Sequence, residues 1–210
     1  MKKIAVIDYG MSNLHSVLKS FQKVINKNYY LSIAQSSKDI EDASILVLPG
    51  QGAAYSCVEK LSSDFPDLKN QILNKPFLGI CLGFQILFEK SYENDGVNCF
   101  SLINGDVKDF RGVIHKDMKV PHMGWNKVKQ KYDHILWRSI PDESFFYFVH
   151  SYYAQANIES CIFSSTNYQV DFTTSILRDN MLACQFHPEK SSKYGLQFLS
   201  NFINWTEELK

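Results

Sequence analysis

One short stretch, Gly79-Ile80-Cys81-Leu82-Gly83 at the end of a β-rich run, constrains the fold of this chain more than any other. A cysteine between glycines at that spacing fits a strand that turns sharply into a helix and lifts its side chain above a sheet edge, where only small neighbours are tolerated. The surrounding pattern agrees. Lys3 to Tyr9, Tyr30 to Ala34, Ile45 to Leu48 and Phe77 to Ile80 read as strands, and Pro49-Gly50 ends the third. Asn13 to Asn26 reads as a helix with Leu14, Val17, Leu18, Phe21 and Ile25 on one face, and further helical segments run from Tyr55 to Leu61, Asp67 to Leu73 and Leu82 to Glu89. Such alternation predicts an α/β fold, an open and mostly parallel sheet with helices on both faces. From Gly96 to Ser175 the runs are strand-like and broken by turn residues, with Phe145 to Tyr153 the strongest, which predicts an antiparallel extension. Met181 to Phe186 then reads as a returning strand, and Tyr194 to Trp205 as a closing amphipathic helix. No repeat, low-complexity tract or linker interrupts the 210 residues, so a single domain over 1–210 is expected.

The elbow cysteine has the partners a nucleophile needs. An ordinary thiol is mostly protonated at neutral pH, but at a helix N-terminus beside an imidazole it shifts towards the thiolate. The segment QFHPEKS, from Gln185 to Ser191, supplies His187 and Glu189. Two apart on an extended segment, they project to the same side, so Glu189 is placed to hold one ring nitrogen while the other faces Cys81. Leu82 opens the helix, and its backbone N–H points to where an oxyanion would form. Taken singly, a cysteine between glycines is also a common buried residue and His-Pro-Glu an ordinary turn; both in one chain, in this order, are far more specific.

Composition narrows the alternatives. Lys plus Arg balance Asp plus Glu at 22 each, which removes the electrostatic argument for a nucleic acid or membrane-surface partner. With 45% apolar residues and few Pro and Gly, the chain is globular and not a linker. Five cysteines, an odd number without a C-x-x-C pair, favour neither a disulfide framework nor zinc, and a reducing cytoplasm is expected. Cys57, Cys99, Cys161 and Cys184 read as packing residues. The apolar run after Lys3 stops at Asp8, too short for a signal peptide, and no stretch approaches a membrane span. His15, His115, His122 and His134 show no metal-ligand spacing, so no metal and no cofactor is expected. Pro49-Gly50-Gln51-Gly52 is only weak evidence for a phosphate loop, and His150 reads as structural.

GICLGFQ together with QFHPEKS resembles the class I (triad) glutamine amidotransferases. IAVIDYGMSNLHSV (Ile4 to Val17), VLPGQGA (Val47 to Ala53), VPHMGWN (Val120 to Asn126) and YFVHSYY (Tyr147 to Tyr153) narrow the resemblance to the glutaminase subunits of imidazole glycerol phosphate synthase, from Ile4 to about Phe202. The resemblance implies hydrolysis of L-glutamine through a Cys81 thioester, with His187 as acid and base and Glu189 orienting it. It implies an oxyanion hole from the Gln51 and Leu82 N–H groups and a substrate site at Gly50, Gly52, Gln85, Glu93, Ser151 and Tyr152. It places Pro121, His122, Met123, Gly124, Trp125, Asn126, Tyr147 and Lys190 at the face that docks a separate (β/α)8-barrel cyclase subunit, in a cytoplasmic heterodimer that channels ammonia into imidazole glycerol phosphate and AICAR for histidine biosynthesis. Ser12, Gln51 and Gln169 depart from the usual Gly, Val and Gly. Two other readings stay open: a paralogue supplying ammonia for amidation of a surface sugar, and a silent glutamine-sensing subunit.

Overall fold

The computed structural model describes residues 1–10 and 14–209. Ser12 and the expected helix start at Asn13 therefore lie outside the described residues. In chain order the parallel half runs β1 (Lys2–Ile7), α1 (Leu14–Val24), β2 (Tyr29–Ala34), α2 (Ser37–Glu41), β3 (Ile45–Gly50), α3 (Ala54–Asp64), α4 (Leu68–Asn74), β4 (Phe77–Cys81) and α5 (Leu82–Gln85). The second half carries β5 (Lys90–Ser91), β6 (Val97–Asn98), β7 (Gly105–Asp109), β8 (His122–Gln130), β9 (Ser144–His150), β10 (Tyr152–Ala156), β11 (Ile162–Asn167), β12 (Asp171–Arg178) and β13 (Met181–Cys184), and α6 (Ser192–Glu208) closes the chain.

The strands join in one sheet. Its main path is β2-β1-β3-β4-β13-β12-β10-β7-β5-β6, with β11, β8 and β9 branching from β12. From β2 to β13 neighbours are parallel; β13 pairs antiparallel with β12, where the extension begins. Alternate residues of each central strand enter different cores. Ala5, Ile7, Leu46, Leu48 and Phe77 pack with Ile40, Cys57, Leu61, Leu68 and Ile72 of α2, α3 and α4. Ile4, Val6, Ile45, Val47, Leu78 and Ile80 pack with Val17 and Phe21 of α1 and Phe198 and Phe202 of α6. Both faces are covered, so β3 and β4 are buried at every residue, and their sequences are continuous apolar runs.

Three expectations need correction. The helix expected from Leu82 to Glu89 stops at Gln85, because the carbonyls of Ile86, Leu87 and Phe88 accept N–H groups of Phe100, Ser101, Leu102 and Ile103 and leave the helical ladder. The run from Phe145 to Tyr153 is two strands, with β9 paired to β8 and β10 paired to β7 and β12; Ser151 marks the change of partner. The segment from His187 to Glu189 is not extended: Pro188–Lys190 is a 3-10 turn with proline at its start, where a missing N–H costs nothing. The short helix α2, capped by Ser36 and Asp39 in a reciprocal box, had no apolar period to announce it.

Candidate active site

The register of the parallel strands assembles the site at their C-terminal ends, the edge where open α/β sheets hold ligands. Gly50 at the end of β3 lies opposite Cys81 at the end of β4, and Cys184 of β13 lies opposite Ile80. The segments that follow β3 and β13, carrying Gln51 and His187, therefore flank the cysteine.

Cys81 is held at φ 56°, ψ −105°, a left-handed conformation that a non-glycine residue adopts only when its surroundings enforce it. The enforcement is close packing of α5 on the strands. A Cβ on Gly83 would stand 2.0 Å from the Leu48 carbonyl oxygen, and one on Gly50 would stand 2.8 Å from Leu82 Cβ. Both positions need glycine for space, and the elbow is clamped between them.

His187 Nδ1 lies 2.7 Å from Glu189 Oε1, and both side chains are buried. The 3-10 turn brings them together, and it is itself pinned: the His187 N–H donates to the Tyr147 carbonyl, Ser191 Oγ donates to the His187 carbonyl at 2.6 Å, and the Tyr147 N–H donates to Ser191 Oγ at 2.9 Å. His187 Nε2 has no other bond and faces the Cys81 sulfur. Burial alone would lower the imidazole, but the Cys81 thiolate and the Glu189 carboxylate raise it to about 10. An imidazolium so placed pairs with a thiolate and can later return its proton to a leaving group.

In front of Cys81 lies a cavity of about 410 Å³ lined by Gln51, Gly52, Leu82, Gln85, Glu93, Pro121, Val149, His150, Ser151, Tyr152, His187 and Lys190. Most residues expected at the substrate are there. Gly50 is not, since its backbone is packed against Leu82 and Gly83. Gln85 is buried, with Nε2 donating to the Tyr152 carbonyl and to Gln185 Oε1, both at 2.8 Å. Glu93 Oε2 accepts the Ala54 N–H at 2.6 Å, tying the cavity to the start of α3. A groove of about 420 Å³ at Asn104, Ser160, Arg178 and Asp179 contains Cys161, but burial raises that thiol and no histidine lines the groove. Cys57, Cys99 and Cys184 are likewise pushed up by burial, Cys57 to about 12 and Cys99 to about 11.

Both expected oxyanion donors, Gln51 and Leu82, line the cavity at the elbow. The buried Tyr9 hydroxyl, packed close to Gly50, has no hydrogen-bond partner.

The expected docking residues divide between the faces of the β8–β9 ribbon. Met123 and Trp125 are exposed, the Trp125 ring meets Tyr147 edge-on with centroids 6.1 Å apart, and Lys190 Nζ sits 5.9 Å from the Tyr147 centroid. His122 is a correction, because period-two alternation turns it inward. It stacks between Phe148 and Tyr168, and its Nδ1 lies 3.0 Å from His150 Nε2. Asn126, on the same side as His122, reaches His122 Nε2 and the Asn167 carbonyl. Gln185 is the site residue that sequence reasoning missed; its Nε2 lies 3.6 Å from Cys81 Sγ, and its place in QFHPEKS was the available signal. Gln169, where the resembled family has glycine, adopts φ 61° and accepts the His115 N–H.

A strained cysteine elbow, a His–Glu pair behind it and a cavity in front define a triad hydrolase on a parallel sheet, and comparison gives the class its name. The model of the glutamine amidotransferase class-I family matches residues 5–205, and the chain belongs to that family. The fold is shared at low identity with a structure of PurLQS from Thermotoga maritima (TM-score 0.70, 14% identity, 97% of this chain and 98% of that one). It is also shared with a glutamine amidotransferase from Thermotoga maritima (TM-score 0.61, 18% identity, 99% and 84%). Within the family its branch is that of the imidazole glycerol phosphate synthase subunits HisH. The Hydrogenovibrio crunogenus protein is 43% identical over 206 residues, covering 97% of each chain, and the HisH 1 protein of Pseudomonas aeruginosa is 44% identical over 210 residues, covering 98% of each.

Among the described residues no helix is long and apolar enough to cross a membrane, and no group of three or more His, Cys, Asp or Glu side chains is arranged to hold a metal.

Proposed function

We propose that this chain, one domain, hydrolyses L-glutamine to glutamate and ammonia and passes the ammonia to a separate (β/α)8-barrel cyclase subunit in the cytoplasmic synthesis of histidine. The observation that carries the reading is the Cys81 elbow facing the His187–Glu189 pair inside a glutamine-sized cavity. Cys81 attacks the side-chain amide carbon, and the tetrahedral oxyanion is met by the Leu82 N–H. His187 gives its proton to the departing ammonia, leaving a γ-glutamyl thioester, and then takes a proton from water as that water attacks the thioester. Glu189 holds the imidazole throughout. Gln85, Glu93, Ser151 and Tyr152 border the amino-acid end of the substrate.

The exposed Met123, Trp125, Tyr147 and Lys190 surface supports a partner beside the mouth of the cavity, since Lys190 belongs to both. Ammonia freed into water would be protonated and lost as a nucleophile, so a docked acceptor is needed. A turn of the Gly50-Gln51 peptide that brings its N–H to Cys81 supplies the second oxyanion donor, and one such donor is worth about 10²–10³ in rate.

In complex with the cyclase partner, Cys81→Ala is expected to abolish glutamine-dependent synthesis while synthesis from added ammonium salt persists. Equal loss of both would assign Cys81 to the fold. A response only to a sugar-amidating synthase would move the chain to that alternative partner.

A further inference from the structure

We infer that Gln185 is a further catalytic residue, whose carboxamide N–H donates to the Cys81 sulfur and holds it as the attacking thiolate. The inference rests on the reading of Cys81 as the nucleophile.

The direction of this bond is fixed by the backbone. The Tyr152 carbonyl can only accept, so Gln85 must present its Nε2 there, 2.8 Å away. The second hydrogen of that Nε2 points at Gln185, also at 2.8 Å, and requires Oε1 of Gln185 in return. Gln185 is thereby left with Nε2 towards Cys81 Sγ at 3.6 Å, within range for the large sulfur atom. Reversing either amide would set like against like, so the network itself decides both assignments. His150 Nδ1, 2.8 Å from the same Tyr152 carbonyl, must be a donor as well, which leaves its Nε2 to accept from His122 Nδ1. The Gln185 backbone is fixed too, with its N–H 2.8 Å from the Thr174 carbonyl, and the residue is fully buried.

The sulfur is placed to accept: Gln185 Nε2 donates to it at 3.6 Å, His187 Nε2 faces it, and the Val149 carbonyl lies 4.0 Å away. The titratable and charged groups around the sulfur are His187 with Glu189 behind it, Glu93, Lys190, His150 and Tyr152 in the cavity wall, and Tyr9 and Cys184 beneath. Gln185 differs from all of them in having no proton to titrate, so its donation is the same at every working pH.

The test is site-resolved alkylation of Cys81 by iodoacetamide across pH in the full chain, comparing wild type with Gln185→Met, which removes the N–H, and the isosteric Gln185→Glu, which replaces it with an oxygen. A hydrogen bond to a charged group is worth about tenfold to a hundredfold. Alkylation at neutral pH should therefore fall at least about tenfold in Gln185→Met, with the midpoint moved to higher pH, and the midpoint of Gln185→Glu should move at least as far. In the complex, kcat for glutamine should fall with KM little changed. A wild-type midpoint in either folded variant would overturn the inference and make Gln185 a packing residue. If wild type alkylates as described and the variants shift, but glutamine is not hydrolysed, the Gln185 contact stands and the substrate assignment falls.

Discussion

Glu189 and His187 share one hydrogen bond and have unequal tasks. Glu189→Gln keeps an oxygen to accept from Nδ1 but removes the negative charge that supports the imidazolium, so hydrolysis in the complex should slow by about 10²–10⁴ without vanishing. His187→Ala removes the proton carrier and should leave almost nothing, and steady-state turnover of both variants checks the order. Equal turnover of Glu189→Gln and wild type would mean that the Ser191 and Tyr147 bonds position the ring alone. A glutamine analogue with an electrophilic side chain should label Cys81 and spare the other four cysteines, whose thiols burial holds protonated. Cys81 was a candidate from its neighbours in sequence, whereas the direction of the Gln185 amide towards it depends on Gln85, a hundred residues away.

At the scale of elements, the elbow is a packing device. Gly83→Ala would drive a methyl group into the Leu48 carbonyl, so α5 must move off β3, at a cost of about 2–4 kcal/mol. Because Gln51 directly follows β3 and Leu82 opens α5, glutaminase activity should fall more than stability does; denaturant titration beside turnover checks this. The turn after β13 is coupled to β9 through Ser191, so Ser191→Ala should loosen the triad where it meets Tyr147 of the docking ribbon. A lower gain in turnover on adding the partner, at unchanged affinity, is the expected result. The central strands of the parallel half, β3 and β4, were legible because burial on both faces writes a continuous apolar run. The division of Phe145 to Tyr153 between two pairings was not, since an apolar alternation is the same whichever neighbour it meets.

Across the whole molecule, the buried histidine pair makes stability depend on acid. Burial lowers His122 to about 4 and His150 to about 3, against 6.5 in the unfolded chain. The pair is neutral in the fold and takes up protons on unfolding, so its contribution is complete above pH 6.5 and is lost as pH falls towards 4 and 3. His187 has the opposite sign: with its folded value about 10, its contribution is complete below pH 6.5 and lost as pH rises through 10, so it adds no slope in the acid range. Tm should therefore fall by about 5 °C or more between pH 6.5 and 4.5, and a His122→Gln, His150→Gln double variant should flatten that slope. An equal slope in both proteins would show that other groups govern the acid limb. The isolated chain should also be a poor glutaminase, accelerated when the cyclase partner and its ligand bind and turn the Gly50-Gln51 peptide to complete the oxyanion hole; full activity alone would remove the need for that rotation.

Along the chain alone one could read the apolar runs of the central strands, the glycines that permit an elbow, and Cys81, His187 and Glu189 as candidates for nucleophile, base and orienting carboxylate, because these depend on residue type and on neighbours a few positions away. Only the tertiary structure decided where α5 stops, that His187 and Glu189 meet across a 3-10 turn, that His122 faces inward, and which way each glutamine amide points. Each of these is set by hydrogen bonds to segments about ten to a hundred residues away, and a buried polar group takes whichever partner the fold brings to it.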